Sequence, residues 1–401
     1  MLKPTVLLIA TALFVQGAYA QNGSAPAPSS HKHRATSHDV TAAAQDSLMP
    51  HQPARTSRPP RPALTVSLGL DELHDDNILQ LTPIELDRLA TNPGPPRFRI
   101  DTADDNITAL HGDVRWRLRL LSRRETRVAA GLDFYIYQRN DVKDWQQYGL
   151  SLDQELTASR RYLATIGIWR SIVPNYYLRE ITDEDDSFGL PRRDRIRRSV
   201  QYRQISTGAR YGQQLARGRL DLSATFERLH RDYDPKFDER DNDNDQWRFV
   251  IEGRPFRHWD LSARFTYLVG TLDARGDLAT SEIRDTDISY DHHGFGASVT
   301  LPWGHNRTRG RVDVGWMPQT RSYTTDDKFD LIRFGRINHR RATTVKVAQR
   351  VWGPLDVVAS YDRLTSEAEF TTGVTFDPRA TDFDQTRYGI MLRSRWDLLA
   401  R

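Results

Sequence analysis

The fold is decided by the stretch DVRWRLRLL, residues 113–121, in which every second side chain is apolar. The even-numbered positions from Val114 to Leu120 are apolar, and the odd-numbered positions from Asp113 to Arg119 are charged. Successive side chains of a β-strand point to opposite faces, so an alternation of this kind is typical of a strand with one greasy face and one polar face.

The same alternation recurs along the chain from Pro62 onward. It is clear in GRLDLSATFE (218–227), WDLSARFTYLV (259–269) and TRYGIMLRSRWDLL (386–399). We count fourteen such candidate strands, and they run for about nine residues or more, the span of a tilted transmembrane strand, whereas soluble strands average about five or six. The sequence therefore predicts an all-β fold, a transmembrane antiparallel β-barrel of about 14 strands.

The predicted connections alternate strictly between short and long. Outer-membrane barrels have this asymmetry, with short periplasmic turns and long extracellular loops. We expect both ends of the barrel domain on the periplasmic side. The first strand should cover Leu64 to about Leu70, and DELHDDN (71–77) should carry the chain into a long polar outer loop. The long connections are expected near 73–105, 138–144, 173–197, 231–244, 272–286, 320–338 and 365–383, and the short ones near 122–125, 158–160, 216–218, 254–258, 302–306 and 352–354.

The N-terminus has the features of a secretory signal peptide. Lys3 supplies a positive charge, a short apolar run follows, and Ala18-Tyr19-Ala20 forms a cleavage site. We therefore predict residues 1–20 to be a signal peptide that is cleaved after Ala20, and residues 21–62 to be a disordered Ser/Pro/His-rich periplasmic tail. Residues 63–401 form the barrel, which we expect in the outer membrane of a Gram-negative bacterium.

Composition excludes several classes of protein. The chain has no cysteine, so it has neither disulfides nor thiolate metal sites. Charged residues are 27% of the sequence with a net charge of +4, a balance that argues against a nucleic-acid partner. We expect no cofactor and no metal. Asp241, Asp243 and Asp245 have calcium-loop spacing, but Gln246 occupies the position that needs glycine, so a solvated loop is favoured.

The charged faces of the strands should line a wet lumen, because an arginine that faces lipid costs several kcal/mol. Either the charges pair across neighbouring strands and hold the wall together, or surplus guanidinium groups form a track for anionic or polyhydroxylated substrates. Pairing is favoured for most, including Arg203 and Arg210, with the second and last strands as a possible basic flank. The candidates for a lumenal substrate track are Arg115, Arg117, Arg119, Arg264, Arg387, Arg393, Arg395, Asp113, Asp260 and Asp397.

Aromatic side chains cluster where the strands meet the short turns. Amphipathic rings prefer the boundary between lipid and water, so these residues are expected to form a periplasmic aromatic girdle. Its members are Phe256, Trp259, Trp303, Trp352 and Trp396.

A barrel enzyme is the first alternative. It would need an acid–base pair at the rim, for which His292 and His293 beside Asp291, or His230 near Asp232, are candidates. No serine stands in an activating context, so we predict no catalytic residue and no enzyme. A scaffold whose outer loops bind partners is the second alternative.

The stretch that begins GLDELHDDNI (69–78) and continues through residues 113–156 resembles the type 2 family of outer-membrane β-barrel porins. The resemblance covers about the first third of the barrel. It implies an outer-membrane barrel of the kind associated with exopolysaccharide export, with outer-membrane lipid, the barrel assembly machinery and periplasmic export proteins as partners. The leading hypothesis is a conduit for saccharide or exopolysaccharide; the alternative is an enzyme that acts on envelope lipid or glycan.

Overall fold

A computed structural model shows how these strands assemble. It describes residues 63–91, 100–119, 124–158, 162–176, 200–215, 219–254, 261–275, 287–304, 309–326, 333–371 and 377–398. The predicted signal peptide and the tail at 21–62 lie outside the described residues, so both stay predictions.

Fourteen strands are present in the described part of the chain, as predicted. They are β1 (Ala63–Asp75), β2 (Asp105–Leu118), β3 (Thr126–Tyr137), β4 (Trp145–Ala158), β5 (Tyr162–Tyr176), β6 (Val200–Leu215), β7 (Leu220–Tyr233), β8 (Asn242–Gly253), β9 (Ser262–Ala274), β10 (Tyr290–Trp303), β11 (Gly310–Tyr323), β12 (Arg336–Trp352), β13 (Leu355–Phe370) and β14 (Phe383–Asp397).

Each strand pairs antiparallel with its neighbours in sequence, and the sheet closes into a barrel where β1 meets β14. At this seam Thr65 lies opposite Asp397, and Asp75 lies opposite Arg387. Closure gives every strand two partners, which removes the unpaired edge that an open sheet would leave. The first and last strands are therefore as fully paired as the others.

We call the two ends of the barrel the turn end and the loop end. The turn end carries the connections 119–125, 159–161, 216–219, 254–261, 304–309 and 353–354, together with the start of β1 and the end of β14. The loop end carries the connections 76–104, 138–144, 177–199, 234–241, 275–289, 324–335 and 371–382. The predicted alternation is therefore confirmed in its order, although 138–144 and 234–241 are no longer than 254–261 at the opposite end.

The outer face of the barrel carries an apolar belt. Large exposed side chains alternate along each strand, as in β8, where Trp247, Phe249 and Ile251 all point outward. Going up from the turn end, the outward residues become polar after roughly eight to ten positions. At about 2.5 Å of height per residue in a tilted strand, the belt is about 20–25 Å tall, which matches the apolar band of a barrel that spans a membrane.

Helices are few and short in the described chain. The helix α1 (Pro83–Thr91) lies in the first loop, and one turn, α2 (Pro378–Thr381), lies between β13 and β14. Two 3-10 helices, Asp141–Lys143 and Pro235–Arg240, lie at the loop end. No described helix is long and apolar enough to cross a bilayer.

We expect Gly389→Ala to destabilise the barrel by about 1–3 kcal/mol, the usual cost of overpacking. Gly389 lies at the seam, where a Cβ would meet the carbonyl oxygen of Glu72 and the side chain of Leu73 well inside van der Waals contact. The measurement is the urea midpoint of the folded form, detected by heat-modifiable migration in SDS gels.

Gly315→Ala is the matched control, because its added Cβ would lie 3.7 Å from Ser298, an ordinary contact. Equal midpoints for the two variants would show that the close approach at the seam does not limit stability.

Candidate functional site

The inward faces of the strands are mainly polar and line the lumen. Eight of the predicted track residues lie on them, as the register shows: on β2 Asp113, Arg115 and Arg117, on β9 Arg264, and on β14 Arg387, Arg393, Arg395 and Asp397. Arg119 is exposed just beyond the end of β2, and Asp260 lies outside the described residues. A role in binding substrate stays a prediction for all of them.

The structure brings the second and last strands to either side of β1. Arg115 and Arg117 on β2 neighbour Thr65 and Ala63, while Arg393 and Arg395 on β14 neighbour the next two inward positions of β1. These inward residues of β1 are small, so the four arginines, which we call the basic flank, face one another across a shallow strip of wall. The flank that the sequence suggested is thus formed, in the half of the lumen near the turn end.

Two members of the basic flank are in ion pairs with carboxylates and two are not. Arg115 lies 2.9 Å from Asp113, and Arg395 lies 3.7 Å from Asp397. Among the described residues, Arg117 and Arg393 are in no ion pair, although Arg393 donates to the sulfur of Met391 at 3.2 Å. The flank therefore presents more positive charge to the lumen than its neighbours neutralise.

Several other lumenal charges are paired, and some of these pairs run along one strand instead of across two. Arg311 pairs with Asp313 at 2.8 Å on the same strand, and Arg127 pairs with Glu125 at 2.6 Å just before it. The cross-strand pattern that we predicted is present between Arg350 on β12 and Asp356 on β13, at 3.1 Å. Positions i and i+2 share a face of the sheet, which is what allows the along-strand pairs.

His111 is a lumenal residue that sequence reasoning missed. Its Nδ1 lies 2.6 Å from Asp133 on β3 and its Nε2 lies 3.2 Å from Asp71 on β1, so one imidazole bridges three adjacent strands. The sequence does contain a hint, because His111, Asp133 and Asp71 all lie on the inward-facing set of alternating positions of their strands. A single histidine in a charged strand carries no distinctive motif, however.

The first loop folds back into the mouth of the barrel, and Asp75 begins this path. Asp75 is 1% exposed and accepts hydrogen bonds from Arg387 and Gln385 of β14, at 2.7 Å and 2.8 Å. Asn77 continues the path, because its side chain donates to the carbonyl oxygens of Leu81 and of Asp384 on β14, both at 2.9 Å. The start of the loop is therefore fixed to the last strand.

An apolar cluster holds the body of the loop against the inner wall. Leu79, Leu81 and Leu89 of the loop are almost completely buried. They pack with the inward residues Ile107 and Tyr137, and the cluster extends to Leu73, Tyr135 and Trp145. This corrects our expectation of a purely polar outer loop, and β1 itself runs beyond Leu70, to Asp75. The loop narrows the lumen at the loop end on the side of β1 to β4.

Two contacts define the position of helix α1 within the loop. At its start, Thr82 and Glu85 form a capping box, in which Thr82 donates its backbone N–H to Glu85 at 2.8 Å and Glu85 donates its own to the Thr82 hydroxyl at 3.4 Å. Along the helix, Asp87 pairs with Arg379 of α2. The helix is therefore tied to the connection between β13 and β14.

A neighbouring connection is also fixed by buried polar contacts. The carboxylate of Asp144 accepts a hydrogen bond from the backbone N–H of Tyr137 at 2.7 Å, and burial raises the pKa of this carboxyl. The side chain of Asn140 accepts from Asp101 of the first loop at 2.7 Å and donates to Asp105 at 2.8 Å. The connection 138–144 thus supports the in-folded loop from the other side.

Across the mouth from the loop, arginines and aromatic rings alternate on the inner wall. Arg321, Arg336 and Arg340 point inward and are 3–6% exposed. Arg321 lies over the ring of Tyr290 at 4.8 Å, and Arg336 over the ring of Tyr323 at 5.9 Å, both within the range of cation–π attraction. The outer mouth therefore has one wall formed by the loop and another that is basic and aromatic.

Some predictions are corrected by the register. Arg203 lies opposite Ile172 and Asp232 and points outward, whereas Arg210 points into the lumen as expected. Arg203 and Arg210 are an odd and an even position of the same strand, so they lie on opposite faces of the sheet. The sequence around these two residues does not mark which face is apolar.

The aromatic girdle is partly described. Trp303, Trp352 and Trp396 point outward at the turn end, and Trp352 is 77% exposed. Phe256 and Trp259 lie outside the described residues. Their role as a membrane girdle stays a prediction.

The structure separates the two histidines of the first catalytic candidate and changes the surroundings of the others. His292 faces the lumen and His293 faces outward, so they cannot act on one substrate. His230 pairs on the outer wall with Asp243, at 2.9 Å. Asp243 and Asp245 belong to strand β8 and not to a loop, so the spacing does not produce a calcium loop.

The apolar outer belt, the polar lumen and the closed sheet together define a transmembrane antiparallel β-barrel. No family model matches the sequence, so the resemblance to the type 2 porin family stays a prediction. No curated protein matches it either.

Comparison with solved structures finds an anion-selective porin and several outer-membrane proteins, all at low sequence identity. The anion-selective porin from Comamonas acidovorans is 8% identical with a TM-score of 0.42, over 84% of this chain and 99% of that one. The outer-membrane channel DcaP of Acinetobacter baumannii is 9% identical with a TM-score of 0.40, over 86% of this chain and 100% of that one. OprD from Pseudomonas aeruginosa is 11% identical with a TM-score of 0.36, over 84% and 94%. At this distance, function has to be argued from the residues of this chain.

We expect Asn77→Ala to loosen the in-folded loop and to raise the single-channel conductance or its noise. The change leaves the backbone groups of Leu81 and Asp384 without a buried partner, which costs about 1–3 kcal/mol. Planar bilayer recording is the measurement.

Asn106→Ala is the control, because Asn106 lies on the outer wall, exposed, with its amide oxygen 3.0 Å from His74. If both variants conduct as the unchanged protein does, the contacts of Asn77 do not set the width of the mouth.

Proposed function

We propose that this barrel is a conduit through which polar solutes cross the outer membrane. The observation that carries the proposal is the opposition of the two faces: an apolar belt outside and a mainly polar lining with many charged side chains inside. A soluble barrel would have the reverse arrangement, with its apolar face buried. Fourteen tilted strands enclose a backbone cylinder about 28 Å across, and side chains reduce this to a passage on the order of 10 Å before the loop narrows it further.

The lining favours solutes that are polar and carry negative charge or many hydroxyl groups. Arg117 and Arg393 of the basic flank offer guanidinium groups that no described carboxylate neutralises, and guanidinium donates several hydrogen bonds in a fixed geometry. Inward aromatic rings lie at the other end of the lumen, the loop end, where Tyr135 stacks on Trp145 at 4.4 Å between centroids. We propose saccharides, including acidic ones, as the substrate class, and exopolysaccharide as the larger cargo that the resemblance implies.

The first test is conduction by the purified full-length protein in planar bilayers. We expect steady single-channel currents with a preference for anions. Arg117→Gln with Arg393→Gln should lower the ratio of anion to cation permeability by up to about tenfold. The reason is that a permeating ion about 10 Å from a guanidinium group interacts with it by about 1–2 kcal/mol at an effective dielectric constant of 20.

Arg363→Gln is the matched control for charge, since Arg363 points outward and pairs with Asp384. It should leave the ion preference unchanged. A protein that inserts but carries no current, even when residues 79–102 are replaced by a short Gly/Ser linker, would rule out the conduit.

The second test addresses the substrate class. In proteoliposome swelling, glucuronate should enter faster than glucose, and the Arg117→Gln/Arg393→Gln pair should remove most of that difference while glucose entry stays the same. Small amino acids of equal charge serve as the comparison. If they enter as readily as glucuronate, the lining selects charge alone and the saccharide assignment is wrong.

A further inference from the structure

Several arginines lie on the outer wall, and two of them, Arg170 and Arg203, are in no ion pair among the described residues. Arg170 of β5 is exposed and stands between Ile168 and Ile172 on the outward face of its strand. Arg203 of β6 is also exposed and lies opposite Ile172. Neither residue can contribute to the lumen, so the conduit does not account for them.

Their height places them at the upper edge of the apolar belt. Arg170 lies eight positions above the turn-end residue of β5, which corresponds to about 20 Å in a tilted strand. Below it, Ile166 and Ile168 are about half exposed, as lipid-facing side chains should be. Arg203 lies higher, beyond Ile205 on its own strand. This is the level at which lipid headgroups begin.

The other outward arginines at this height have carboxylate partners, and these two do not. Arg228 pairs with Asp243 at 3.0 Å, and Arg363 pairs with Asp384. Among the described residues, neither Arg170 nor Arg203 is in an ion pair. Arg203 has Asp232 as its cross-strand neighbour, but the two side chains are not within ion-pair distance in the structure.

The two guanidinium groups can converge on one ligand. Arg170 lies directly opposite Ile205, so Arg203 is its diagonal neighbour across the β5–β6 pair. Diagonal neighbours in an antiparallel pair lie about 7–8 Å apart, within reach of two long side chains. Like charges at this spacing repel each other, and an anion held between them removes that repulsion. Guanidinium groups in pairs are well suited to phosphate oxygens.

We propose that Arg170 and Arg203 form a clamp for the phosphate of an outer-leaflet lipid whose acyl chains lie along the exposed isoleucines below. Charge complementarity identifies the headgroup, and the apolar surface beneath the clamp identifies the ligand as a lipid and not a free anion. The clamp lies on the outer wall and is therefore independent of the proposed conduit.

The test is lipid binding by the detergent-purified full-length barrel, measured by native mass spectrometry with phosphorylated lipid A and with lipid A lacking its phosphates. We expect the phosphorylated form to bind more tightly, and Arg170→Gln with Arg203→Gln to weaken it by roughly tenfold. The lysine pair, Arg170→Lys with Arg203→Lys, keeps the charge and should retain more affinity than the glutamine pair.

Arg363→Gln is the matched control, at the same height but already paired, and it should change affinity less than twofold. Heat-modifiable migration and bilayer conductance should be unchanged in all variants, which separates this test from that of the conduit. Equal binding of both lipids, equal binding by the glutamine pair, or an equal loss in Arg363→Gln would overturn the proposal.

Discussion

Every backbone N–H and C=O group inside a membrane must find a partner within the protein, and the rest of this structure depends on that constraint. The sheet meets it by closing on itself, so that β1 pairs with β14 in the same antiparallel manner as neighbours in the sequence do. Closure sorts all strand positions into an outer and an inner set. The apolar belt, the charged lumen and the outward position of Arg170 and Arg203 all follow from that division.

The inward side chains differ in character between the two ends of the barrel. Near the turn end, small residues of β1 lie between the arginines of β2 and β14 and leave the lining open and basic. Near the loop end, larger inward residues such as Tyr135 and Ile107 support an apolar cluster that belongs to the first loop. The apolar residues of the first loop can be buried there because the wall beneath them is apolar at the same level.

The sequence was sufficient to predict the architecture, because the architecture rests on a period of two that recurs in every strand. The strand number, the antiparallel order and the inward position of Arg115, Arg393 and their neighbours follow from it. The period does not show which face of a strand points into the lumen where both faces carry apolar and polar side chains, as in IGIWRSIV, residues 166–173. Arg170 and Arg203 fall in or beside such mixed stretches, and only the register resolves them.

The path of the first loop could not be predicted for another reason. Its apolar residues, such as Leu79 and Leu89, are scattered in a segment without a strand pattern, and the partners that bury them come from distant strands. The anchors Gln385 and Arg387 are about three hundred positions further along the chain than Asp75. No local rule links residues at that separation.

That separation has a consequence for biogenesis. The residues that fix the start of the first loop are supplied by β14, the strand that is synthesised last. While the barrel is still an open sheet, the start of this loop lacks the acceptors and donors of β14, and only the apolar contacts with β1 to β4 can hold it. The full set of contacts that holds this loop therefore exists only once β1 and β14 have paired.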